Sequence, residues 1–67
     1  MKEFSKNLRA LRIERGLSQR ALGAVLGFTD VAVSHWEARN KEPSYDTLVK
    51  LARYFNVSTD FLLGLED

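Results

Sequence analysis

Phe4, Leu8 and Leu11 recur at i, i+4 and i+7, so residues 3 to about 15 are predicted to form an amphipathic helix, closed by Gly16 as a left-handed cap. Ser18 then offers an N-cap, and Leu22, Val25 and Leu26 follow at helical spacing until Gly27, a short helix of about eight residues. Phe28 is expected to tuck inward and Thr29 to cap a third helix from Asp30 to about Ala38 or Arg39. In that helix Val31 and Val33 stand two positions apart, so they cannot share a face. Val33 and Trp36 point one way, whereas Val31, Ser34, His35 and Ala38 point the other. Glu42 precedes Pro43 and is held extended. Ser44 caps a fourth helix with Leu48, Leu51, Ala52 and Phe55 inside, closed by Asn56. Ser58 or Thr59 caps a final short helix, with Phe61, Leu62 and Leu65 around the stop at Gly64. Five helices, no strand, no internal repeat and only short connections describe an all-α domain. Its predicted core is Leu22, Leu26, Val33, Trp36, Leu48, Leu51 and Phe55.

The chain has 67 residues, enough for one domain spanning 1–67 that buries about 60% of its unfolded surface, too small for a large catalytic cleft. Gly64 to Asp67 read as a frayed end or a point of truncation. Hydrophobic residues at 45% and charged ones at 28% are globular values that argue against disorder. The chain lacks cysteine and has one histidine, which exclude a disulfide framework and a metal site built from thiolates or paired imidazoles. A reducing cytoplasm fits this inventory. No apolar run approaches the roughly 20 residues that span a bilayer, and MKEFSKNLR has no signal-peptide core. The expectation is a cytoplasmic protein without a membrane, cofactor or small-molecule partner.

Net charge is +1, but it is unevenly placed. Residues 1–20 hold six basic residues against two acidic, a balance of +4; residues 21–67 hold four against seven, a balance of −3. A basic end can meet a polyanion while an acidic end avoids it, although a solvated surface with accidental bias gives the same tally. The outer face of the third helix is more telling. It carries Val31, Ser34, His35 and Ala38, with little bulk or charge, where a merely solvated face would carry Lys, Glu and Gln. Two short helices joined by LGFTD make a helix-turn-helix pattern. Gly23, beside Leu22, lies on the flank that the third helix is expected to cross, where the lack of a side chain permits close approach despite a helix-interior cost of about 1 kcal/mol. An enzyme is disfavoured by the inventory of one histidine, no cysteine, no glycine-rich phosphate loop and no acid pair in an evident pocket. RNA binding is disfavoured by the lack of an exposed aromatic platform.

The segment LRALRIERGLSQRALGAVLGFTDVAVSHWEARNKEPSYDTLVKLARYFNVSTDFLLG resembles the phage repressor and Cro family of bacterial helix-turn-helix regulators over nearly the whole chain. The motifs that carry it are Arg-x-x-x-Gly-Leu-Ser-Gln, Leu-Gly at the turn, Trp-Glu at the end of the third helix, Glu-Pro-Ser before the fourth and Asp-Phe-Leu-Leu-Gly at the end. Ala-Leu-Gly in the second helix and Val-Ala-Val-Ser in the third are most similar to lambdoid phage repressors. The resemblance implies a compact five-helix lambda-repressor-like domain, with a double-stranded DNA operator and a second copy of the chain as partners. The alternative is a protein-interaction module, such as an antitoxin or the adaptor domain of a larger regulator.

By the same resemblance, Thr29, Asp30, Val31, Ser34 and His35 face the major groove. Val31 offers only apolar contact with thymine methyl groups. Asp30 either accepts from a cytosine amine or simply stabilises the positive end of its helix. His35 either donates to guanine N7 or O6 or to a phosphate, more strongly when protonated, or stands in solvent. Gln19 bonds a phosphate, aided by the N-terminal dipole of the second helix. Arg20 is a further phosphate candidate or a solvated helix residue. Arg12 reaches Glu37 in an ion pair that ties the first helix to the end of the third and aims the arginine near the phosphate backbone. Arg39, Asn40 and Lys41 are expected to reach phosphates from the following loop, although Arg39 stands where the family most often has glycine. Tyr54, Val57, Phe61 and Leu63 form a candidate dimer surface, or finish the small core.

Overall fold

The computed structural model describes residues 2–38 and 42–66, which form five helices: α1 Lys2–Glu14, α2 Gln19–Leu26, α3 Asp30–Glu37, α4 Tyr45–Phe55 and α5 Thr59–Leu62. Hydroxyl caps decide where four of them begin. The side chains of Ser18, Thr29, Ser44 and Ser58, each on extended backbone, accept the N–H of Ala21, Ala32, Thr47 and Phe61. Each thereby satisfies one of the amides that a helix start leaves without a partner. The ends of α2 and α4 are set by left-handed residues. Gly27 turns at φ 79° and lets the Phe28 N–H reach back to the Gly23 carbonyl at 2.7 Å; Asn56 does the same at φ 58°, with Val57 N–H on the Ala52 carbonyl at 2.9 Å.

The core gathers one stripe from each helix: Phe4 and Leu8, Leu22, Val33 and Trp36, then Leu48, Leu51, Ala52 and Phe55, and Leu62. Phe28 meets Trp36 edge to face, with centroids 5.3 Å apart, and is half-buried rather than enclosed. Leu11 and Leu26 are likewise half-buried against this core. No helix among the described residues is long and apolar enough to cross a membrane.

Two apolar residues outside the predicted core, Val25 and Leu65, are exposed. Val25 is 54% exposed, because the buried arc of α2 runs through Leu22, Gly23 and Leu26 and leaves Val25 about 100° from its centre. Leu65 is 71% exposed, since the chain reverses at Gly64, φ 76°, before reaching it. The role of Gly23 is also more specific than a close approach of helix axes. A Cβ built there would stand 2.9 Å from the Phe28 carbonyl oxygen and from backbone atoms of Thr29, so the glycine makes room for the turn itself.

Helix α1 and Arg15 just after it hold α3, α4 and α5 by their C-terminal ends. Ser5 Oγ donates to the Trp36 carbonyl at 2.6 Å, and Asn7 Nδ2 donates to the Phe61 and Leu62 carbonyls at 3.0 and 3.2 Å. Arg15 Nη2 donates to the Phe55 carbonyl at 3.0 Å, with its guanidinium carbon 5.4 Å from the Phe55 ring centroid. These carbonyls end α3, α5 and α4, where no further turn of helix would satisfy them.

Candidate nucleic-acid interface

Helix α2, the turn at 27–29 and α3 form one unit. The Gly27 reversal and the space at Gly23 set the crossing of the two helices, and Thr29 Oγ1 fixes the first turn of α3 by accepting the Ala32 N–H at 3.1 Å. Val33 and Trp36 bury one side of α3. The opposite side is presented: Thr29, Asp30, Val31, His35 and Ala38 are exposed and Ser34 is half-buried. Val31 is 57% exposed, a β-branched apolar side chain that the described residues leave uncovered. Asp30 Oδ1 accepts the Val31 N–H at 3.0 Å, a carboxylate bound to the amide end of its own helix.

The far end of α3 is fixed by Glu37. Its carboxylate takes Arg12 Nε at 2.6 Å and Arg12 Nη2 at 3.0 Å, and also Gln19 Nε2 at 3.2 Å. The Arg12 Nη1 meanwhile donates to the Leu17 carbonyl at 2.7 Å. The Arg12 and Glu37 side chains are only 12% and 4% exposed, so the pair is sheltered and joined by two charge-assisted hydrogen bonds. The hydrogen bond to Glu37 raises the pKa of Arg12 above its ordinary value, although burial opposes it. One carboxylate thus joins α1, the first residue of α2 and the last of α3. Gln19 as its third member was not evident from sequence, because a glutamine at a helix start signals an exposed contact as readily as an internal one.

Of the other residues singled out from sequence, Arg20 is exposed on α2. Arg39, Asn40 and Lys41 lie outside the described residues. Tyr54, Val57, Phe61 and Leu63 are half-buried, and Tyr54, Val57 and Leu63 pack partly on the core. Tyr54 also meets Phe55 edge to face at 5.1 Å. Sequence reasoning missed Ser5, which is buried between Phe4 and Leu8 on α1. The available signal was its polar side chain at an inner-face position, which requires a hydrogen-bond partner.

Residues 8–62 match the family model described as helix-turn-helix. The chain is 38% identical over 64 residues to the HTH-type transcriptional regulator YobD of Bacillus subtilis (strain 168), covering 96% of this chain and 57% of that protein. It is 36% identical over 60 residues to repressor protein C2 of Salmonella phage P22, covering 90% of this chain and 28% of the repressor. The fold matches the crystal structure of the P22 c2 repressor in complex with synthetic operator 9T, with TM-score 0.87, 33% identity and coverage of 94% and 96% of the two chains. The chain spans about half the length of the Bacillus relatives it matches.

Proposed function

The chain belongs to the helix-turn-helix family, and from that membership and the outward face of α3 we propose that it is a sequence-specific, double-stranded DNA-binding transcriptional regulator. It acts as a repressor by occupying an operator as a two-fold dimer, in the cytoplasm where that DNA lies. The observation that carries this reading is the uncovered face of α3, whose start and end are both fixed by hydrogen bonds within the protein. The described operator complex of the P22 repressor fold supports it.

In this reading the N-terminal part of α3 enters the major groove and presents Thr29, Asp30, Val31, Ser34 and His35 to base edges. Val31 meets thymine methyl groups, which replace water on a side chain that folding leaves bare. Gln19 and Arg20 at the start of α2, with Arg39, Asn40 and Lys41 after α3, bond phosphates and set the register. Arg12 spends three of its five N–H donors on Glu37 and the Leu17 carbonyl and offers the others to a phosphate. It holds Glu37, which holds Gln19 at the start of α2. Tyr54, Val57, Phe61 and Leu63 supply the contact between copies.

In vitro selection from random duplexes tests the assignment. The expected outcome is a two-fold motif with thymine at a fixed place in each half-site, and loss of that thymine preference alone for Val31→Ala. A protein that enriches no motif, or a Val31→Ala variant that enriches the same one with the same thymine preference, contradicts it.

A further inference from the structure

The two helices of the unit differ at their N-termini. The first turn of α2 contains no acidic residue and begins Gln19–Arg20 after the Ser18 cap, whereas the first turn of α3 contains Asp30. In α3, moreover, the amides that would otherwise face a ligand are already occupied: Val31 N–H by Asp30 Oδ1 at 3.0 Å and Ala32 N–H by Thr29 Oγ1 at 3.1 Å. A phosphate at that end would meet a carboxylate and find those amides used. The start of α3 is therefore unsuited to the DNA backbone, although the groove-facing reading places it deepest in the complex.

We propose that Asp30 selects cytosine in the base pair next to the thymine read by Val31, an inference that rests on the DNA-binding reading above. A carboxylate accepts hydrogen bonds and cannot donate one. The Val31 amide occupies Oδ1, which fixes the carboxylate against the helix and leaves acceptor capacity on an exposed group. In the major groove, donors are confined to the amines of cytosine N4 and adenine N6. Adenine places its N7 acceptor beside that amine, where it repels the carboxylate; cytosine has only a C–H beside its own. Thymine O4 and guanine O6 and N7 are acceptors, so opposite those edges the carboxylate is stripped of water and left unpaired. Asp30 thus lowers affinity for DNA in general, by repulsion from phosphates, while lowering it most for the wrong base, which is specificity obtained by rejection. Since Asp30 and Val31 are consecutive at the start of α3, their bases lie in adjacent pairs.

The experiment uses the unaltered chain first. A selected operator is compared with one in which the cytosine beside the Val31-dependent thymine is replaced by a pyrimidine lacking the exocyclic amine. Binding is expected to weaken about tenfold, the effect of losing one good base contact. In Asp30→Ala the same replacement should change binding by less than about threefold, because the acceptor is gone. Asp30→Ala should also bind non-operator duplex more tightly than the unaltered chain. Asp30→Asn, with donor and acceptor together, should shift the selected base toward adenine. If Asp30→Ala selects the same cytosine and merely binds every duplex more tightly, Asp30 acts on the helix end alone and the proposal is overturned with the DNA reading intact. Equal losses in both proteins on amine removal overturn it in the same way. Failure of the unaltered chain to bind duplex DNA overturns the DNA reading itself.

Discussion

Glu37 is where α1, α2 and α3 meet, and its carboxylate has more to lose than a surface ion pair would. Exposed pairs contribute about 0.5 kcal/mol because water competes for both partners. Here the carboxylate is 4% exposed and accepts three N–H donors, two from Arg12 and one from Gln19. Replacement by glutamine keeps the shape but removes the charge opposite a sheltered guanidinium. Glu37→Gln is expected to lower stability by about 1–3 kcal/mol, more than an exposed pair can account for. A urea melt checks this, and an unchanged midpoint would show that the pair is not energetically sheltered. The raised pKa of Arg12 sets a sign as well. A base whose pKa is higher in the folded state contributes stability below its unfolded value and loses it as pH rises through the folded value. For a guanidinium both lie far above neutrality, so Arg12 ionisation should leave stability unchanged between about pH 6 and 9.

At the scale of the helices, the α2–α3 unit depends on one missing side chain. Alanine in place of Gly23 would gain up to about 1 kcal/mol of helix propensity. Its Cβ, however, would press on backbone atoms of Phe28 and Thr29 at 2.9 Å, and backbone cannot move aside as a side chain tip can. Gly23→Ala is therefore expected to destabilise by about 1–3 kcal/mol and to weaken DNA binding through a shifted α3. A variant more stable than the parent in thermal melts would show that the turn yields. Asn56 supplies a second test: at φ 58° alanine should cost about 1 kcal/mol, whereas glycine should be tolerated or slightly stabilising. The helices and their caps were legible in sequence because hydroxyls, glycines and apolar periodicity act within a few residues of one another. Val31 was legible by its spacing from Val33. The exposure of Val25 was not legible from its spacing, because the tilt of the buried arc toward Gly23 is set by another segment of chain. Ser5, Asn7 and Arg15 gave little signal because their acceptors are backbone carbonyls 31, 54 and 40 residues away, and any residue provides a carbonyl.

For the whole molecule, charge and size bear on how the proposed dimer would meet DNA. Residues 1–20 carry a balance of +4 and residues 21–67 a balance of −3, which favours one orientation toward a polyanion. The principal extents are 28 × 23 × 20 Å. Two such bodies side by side can touch while their α3 helices lie about 34 Å apart, one turn of DNA. A dimer on one face of the duplex thus fits without an intervening domain. The charged phosphate contacts proposed are Arg12, Arg20, Arg39 and Lys41 in each copy. Counterion release then gives a slope of log affinity on log salt of about −7 for an operator with two half-sites and about −4 for a duplex with one. Arg20→Ala removes one such contact per copy, so on the two-half-site operator the slope should become shallower by about 2. The selected motif should stay the same, because a phosphate contact positions the protein without reading a base. Titrations across salt concentration on both duplexes check these values. A slope that Arg20→Ala leaves unchanged assigns that arginine to solvent, and equal slopes on one and two half-sites contradict paired occupancy.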